Sequence, residues 1–121
     1  MILAGNCCDP YSLEAIRATM GSIFALPPVK VDRAGLLDIM RAWPGDVVAT
    51  DLEAREDFRK AAYRGPQLVV MGSEGPGLSA EVSHAATRRV KIPMSGRLDS
   101  LNLAIATALT LYQIRGPHLN L

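Results

Sequence analysis

Short β-branched runs alternate with helical segments along the whole chain, and most runs are closed by glycine or proline. Nothing else in the sequence limits the fold as much, because strands alternating with helices assemble into α/β domains whose sheet is mainly parallel and flanked by helices. Ile2-Leu3-Ala4 is a stub of strand. Ser12 can cap a helix reaching about Phe24, with Glu14 in its first turn. Val29-Lys30-Val31 is extended after Pro27-Pro28, and Asp32 caps a second helix with Leu36, Leu37, Ile39 and Met40 on one face, ended by Pro44-Gly45. Asp46-Val47-Val48-Ala49-Thr50 is a buried strand, and residues 51–59 form a loop or short exposed helix. Gln67-Leu68-Val69-Val70-Met71 is the best candidate for a central strand. Residues 79–87 form a short helix, 89–92 a strand and 93–98 a loop, and Asp99 or Ser100 caps a last helix reaching about Ile114.

With 121 residues, the chain is expected to make a single domain, residues 1–121. Thirteen Lys and Arg against twelve Asp and Glu leave a net charge of +1, so any phosphate-binding face must be local. Cys7 and Cys8 are adjacent, which excludes a disulfide framework and favours a reducing compartment; they are expected as buried filler rather than nucleophiles. His84 and His118 lack partners at metal-ligand spacing, so no metal is expected. The opening residues lack the basic and apolar regions of a signal peptide, and residues 101–114 are shorter than the ~20 a bilayer needs. A soluble, cytoplasmic protein without a membrane span is expected.

Chemistry gathers in three places, each where a strand gives way to a loop or helix, which is where ligands collect in open α/β sheets. Thr50 and Asp51 follow the first of these strands. Gly72-Ser73-Glu74-Gly75-Pro76-Gly77 follows the second. Ile92-Pro93-Met94-Ser95-Gly96 follows the third, and Ser100-Leu101-Asn102 then opens a helix. The glycine run lets backbone approach a ligand closely, although by itself it reads equally well as a tight turn. It is not a P-loop, and its spacing differs from the dinucleotide fingerprint. Arg88, Arg89 and Lys91 could meet phosphate, but a solvated sheet edge is the plainer reading. The last helix is apolar around most of its circumference, with only Asn102, Ala106, Thr110 and Gln113 in a less apolar stripe. Burial inside the domain or against a second subunit is expected of such a helix.

Residues 69–78, then Ile92-Pro93-Met94-Ser95-Gly96, then Ser100-Leu101-Asn102-Leu103-Ala104 closely resemble the second and third signature motifs of the SpoU (TrmH-like) RNA 2′-O-ribose methyltransferases of the SPOUT superfamily. Asp9-Pro10-Tyr11-Ser12 with Arg17-Ala18-Thr19-Met20-Gly21 is similar to the family's Asp-Pro…Arg-Ala-Ser-Met-Gly segment. The resemblance implies a SPOUT-type α/β fold with a C-terminal trefoil knot, an obligate homodimer packed through the last helix, and tRNA or rRNA as substrate. It also implies S-adenosylmethionine as cofactor, with Gly72, Ile92 and Leu101 in contact through backbone groups and Met94 and Thr50 lining the site. Glu74, Ser100 and Asn102 would shape the catalytic pocket and help position the ribose hydroxyl. The alternative is a non-catalytic knotted module for dimerisation or cofactor binding.

The family's first motif carries an Asn and the Arg assigned to activating the ribose hydroxyl, and it lies upstream of the Asp-Pro segment. By that resemblance this chain is N-terminally truncated, lacking the motif and the first strand and helix, and is either a fragment or a short relative. Weak or no methyl transfer by this chain alone is therefore expected, checked by incubation with S-adenosylmethionine and bulk tRNA or rRNA. Robust turnover would overturn that expectation.

Overall fold

The computed structural model describes residues 1–96 and 100–120 and divides into two units, Met1–Ile39 and Met40–Leu121. In the first unit, β1 (Ile2–Ala4) pairs in parallel with β2 (Val29–Val31) in a two-stranded sheet, Ile2 opposite Val29. Ser12 caps α1 (Leu13–Ala18) by accepting from the Ala15 amide at 3.2 Å. The helix stops well short of the expected Phe24. Met20 and Gly21 both have positive φ, +50° and +83°, a conformation that ends a right-handed helix, and a separate turn, α2 (Ser22–Ala25), follows. Asp32 Oδ1 accepts from the Gly35 amide at 2.8 Å at the start of α3 (Arg33–Ala42), whose residues reach into both units. Leu37 and Met40 on its apolar face are buried. Cys7 and Cys8 are exposed, contrary to the filler role expected of them; the Cys7 thiol donates to the Ala4 carbonyl at 3.4 Å.

The second unit is built on β3 (Val47–Thr50), whose Val47, Val48 and Ala49 have no exposed surface. It pairs in parallel with β5 (Leu68–Val70) on one side and β6 (Arg88–Lys91) on the other. A two-residue strand, β4 (Glu56–Asp57), pairs with β6 inside the stretch expected to be loop or helix, giving the order β4-β6-β3-β5. Two expectations change with that order. The run containing β5 is the sheet's end strand among the described residues, while β3 is interior; and β6 lies between two strands rather than at a solvated edge. Arg88 on β6 instead donates through Nη1 to both Glu56 oxygens, at 2.7 and 2.9 Å. Apolarity ranked β5 highest, but apolarity alone does not determine strand order.

Val48, Val90 and Phe58 form a buried cluster against which Ala61, Tyr63 and Ile92 pack. The Tyr63 hydroxyl donates to the Phe58 carbonyl at 2.6 Å, holding the chain after β4 over that cluster. Gly45 is required where the chain enters β3, since a Cβ there would stand 2.1 Å from the Pro66 carbonyl oxygen. Ser79 caps α4 (Ala80–Ala85). The last helix, α5 (Leu103–Arg115), is capped by Asn102 and not by Ser100; Asp99, the other expected cap, lies outside the described residues, as do Arg97 and Leu98 of the expected loop.

The faces of α5 are the reverse of an ordinary surface helix. Thr110, from the less apolar stripe, is fully buried, whereas Ile105, Leu109, Leu111 and Tyr112 are exposed, Tyr112 by 73%. Burial of this helix inside the domain, one of the two expectations for it, does not occur. Among the described residues no helix is long and apolar enough to cross a membrane.

Val90 is fully buried beside Val48 and Phe58. Val90→Ala removes packing from that cluster and is expected to cost roughly 2 kcal/mol. Urea unfolding that shows an unchanged midpoint would contradict this account of the core.

Candidate functional site

Because β5, β3 and β6 are parallel, their carboxyl ends lie on the same side of the sheet, and the segments that follow them converge. They enclose a cavity of about 730 Å³, within the ordinary range for small-ligand sites. Thr50, at the end of β3, lines it. So do Gly72 and Glu74 after β5, Ile92 and Met94 after β6, and Ser100, Leu101 and Asn102 before α5. All eight positions singled out in the sequence thus border one space.

The glycine loop is folded tightly on itself. Ser73 and Gly77 form an antiparallel bridge, with the Gly77 amide donating to the Ser73 carbonyl at 3.1 Å. Gly75 and Gly77 have φ of +93° and +68°, and a Cβ on Gly72 would come within 2.3 Å of the Gly77 carbonyl carbon. The loop therefore needs glycine for two reasons, backbone conformation at Gly75 and Gly77 and close approach at Gly72.

Glu74 joins this loop to α5. Its Oε1 accepts from Asn102 Nδ2 at 3.0 Å and from the Leu103 amide at 3.3 Å. Asn102 Oδ1 meanwhile accepts from the Ala104 and Ile105 amides at 3.0 and 3.3 Å. A carboxylate at the amino end of a helix is favoured by the helix dipole as well as by these bonds. Across the cavity wall, Thr50 Oγ1 donates to Met71 Sδ at 3.3 Å, linking the ends of β3 and β5.

A polar cluster that sequence reading did not assemble lines the same cavity: Asp51, Ser83, His84 and Arg89. Buried Ser83 donates through Oγ to Asp51 Oδ2 at 2.6 Å, and Arg89 Nη1 lies 3.7 Å from that same oxygen. The Glu53 amide donates to Asp51 Oδ1 at 2.9 Å. The Ser83 hydrogen bond, then that of Glu53, holds the Asp51 carboxyl below its ordinary 3.8, with Arg89 and His84 adding to the effect and burial opposing it. The position of Asp51 directly after a strand was visible in sequence. Its partners, 32 and 38 residues away, were not. Among the described residues no three His, Cys, Asp or Glu side chains group as metal ligands would.

A parallel α/β sheet whose loops and one helix terminus surround a ligand-sized cavity defines a small-ligand-binding domain. The SpoU rRNA Methylase family model matches residues 1–112, and the chain belongs to that family. The AdoMet-bound rRNA methyltransferase of Sinorhizobium meliloti superimposes with a TM-score of 0.94 at 42% identity, over 98% of this chain and 46% of that one. A Synechocystis protein described as an uncharacterized tRNA/rRNA methyltransferase is 34% identical over 93% of this chain and 42% of its own length. The 23S rRNA (uridine(2479)-2′-O)-methyltransferase of Streptomyces viridochromogenes is also 34% identical, again over 93% of this chain and 42% of its own length. The chain spans less than half the length of these relatives.

Asp51 titrates lower folded than unfolded, so it contributes stability above about pH 4, and that contribution is lost as pH falls through its lowered folded-state value. Ser83→Ala removes the largest cause and is expected to move the Asp51 carboxyl ¹³C titration midpoint upward toward 3.8. An unmoved midpoint would show that the Ser83 bond does not govern this carboxylate.

Proposed function

We propose that the chain is the cofactor-binding portion of a SpoU-like methyltransferase domain that transfers a methyl group from S-adenosylmethionine to a ribose 2′-oxygen of tRNA or rRNA. The observation that carries this reading is the convergence of the glycine loop, the segment after β6 and the start of α5 on one cavity, in the order in which the family's motifs occur. The residues present fit an adenosyl cofactor. The cavity has a suitable volume, and the loop beside it is closed so tightly at Gly72 that its backbone, rather than side chains, forms that part of the wall.

When bound, S-adenosylmethionine supplies a methyl group activated by its positively charged sulfur. Gly72, Ile92 and Leu101 would hold it chiefly through backbone groups, with Thr50 and Met94 lining the site. Glu74 fixes Asn102 and the first turn of α5, and Ser100 and Asn102 border the place where a ribose hydroxyl would be positioned. The work of these groups is orientation, since bringing nucleophile and electrophile into line accounts for a large share of the barrier in such a displacement. Loss of the hydroxyl proton needs a base within hydrogen-bond reach.

The reading includes a C-terminal trefoil knot, homodimerisation through α5 and action in the cytoplasm. The exposed Ile105, Leu109, Leu111 and Tyr112 support the dimer, because a contiguous apolar face of this kind is usually covered by a partner. S-adenosylmethionine should bind the chain with micromolar affinity by calorimetry. Gly72→Ala should weaken that binding about tenfold or more, because its Cβ and the Gly77–Leu78 backbone cannot occupy the same space. Absence of binding, or an unchanged affinity in the variant, would sink the proposal.

A further inference from the structure

Asp51 is held more firmly than a turn residue needs. Its amide donates to the Val90 carbonyl at 2.9 Å, continuing the ladder past the end of β3, and its carbonyl accepts from the Ala54 amide at 3.2 Å. Its side chain is fixed by the Glu53 amide on Oδ1 and by buried Ser83 on Oδ2. The turn requires only the first of these. An ionised carboxylate offers about four acceptor positions, and these two hydrogen bonds fill one on each oxygen. Both oxygens keep acceptor capacity in a residue that lines the cavity, at the end bounded by Ser83 and Arg89.

What such a group takes is a hydrogen-bond donor, and the surrounding charge narrows the kind. Arg89 Nη1 stands 3.7 Å from Oδ2, and His84 borders the same space. A ligand ammonium would meet the guanidinium at close range, whereas a neutral donor escapes that repulsion. A vicinal diol supplies two neutral O–H donors, one for each carboxylate oxygen, while an adenine amino group engages chiefly one. The lowered pKa of Asp51 keeps it an acceptor throughout the neutral range.

We infer that Asp51 accepts hydrogen bonds from the vicinal ribose hydroxyls of the adenosyl cofactor, with Ser83 as the positioning residue that aims its carboxylate. The assignment rests on the proposed methyl-donor site and adds to it a side chain that recognises the sugar. The test is calorimetric binding of two ligands, S-adenosylmethionine and its 2′,3′-dideoxy analogue, to the wild-type chain, Asp51→Asn and Ser83→Ala. Circular dichroism checks the fold of each.

Asp51→Asn is expected to bind S-adenosylmethionine about tenfold more weakly than wild type, the effect of a lost charge-assisted hydrogen bond. Ser83→Ala should lose a smaller factor. Both variants should match wild type toward the dideoxy analogue, which has nothing for the carboxylate to hold. Equal losses for both ligands would reduce Asp51 to a structural brace or assign it to another part of the ligand, and either result overturns the inference. Unchanged binding of S-adenosylmethionine in both variants overturns it as well. Should Asp51→Asn fail to fold, Ser83→Ala, which keeps the charge, carries the comparison alone. Failure of the wild-type chain to bind S-adenosylmethionine defeats the underlying methyl-donor reading, and is thereby distinguished from failure of the Asp51 assignment.

Discussion

Parallel pairing of β3 with two neighbours is the constraint on which the rest of this structure depends. Antiparallel neighbours would send successive loops to opposite ends of the sheet. Here Val48 lies opposite both Val69 and Arg88, so β5, β3 and β6 run in register and deliver their following segments to one side. Val48 packs with Val90 and Phe58 on one face of the sheet, and a slip of one residue would turn it away from them. The cavity is a consequence of strand direction before it is a consequence of any particular side chain.

Within that frame the site is closed by contacts between segments far apart in sequence. Glu74 bonded to Asn102 and Leu103 secures the glycine loop to α5, and Asp51 bonded to Ser83 secures the end of β3 to α4. Both are carboxylates that accept from a donor on another element, and Asp51 keeps acceptor capacity on each oxygen besides. Each restricts the rotamers of a side chain bordering the cavity before any ligand arrives, which lowers the ordering cost of binding.

Elements with strong local signals were legible in the sequence. β2 matches its expected bounds, and β3 and β5 fall inside theirs, because β-branched runs between turn residues have few other uses. The eight singled-out positions, all of which border the cavity, came from the family resemblance, while the strand ends and their glycine and proline marked only the loops that hold them. What could not be read depends on distant partners or on backbone strain. β4 is only two residues long and exists through β6, where Glu56 lies opposite Val90 and its side chain accepts from Arg88, 32 residues on. The break after α1 depends on Met20 at φ +50°, a conformation that a methionine seldom adopts and no pattern announces. Asn102 replaced Ser100 as the cap because its amide can serve Glu74 and the helix amides together, a choice that the loop makes rather than the helix.

The two units differ in how much of their apolar surface they cover. In Met1–Ile39 the buried residues are Pro10, Ile23 and Leu37, and β1 and β2 form a two-stranded sheet. Two-stranded sheets are marginal in water, and sparse burial lowers the free energy of local opening. Amide protons of the first unit should consequently trade with solvent long before those of β3, and a protease should find its first cut there. Every residue lining the cavity belongs to the other unit, so the cavity is built from the part of the molecule that breathes least.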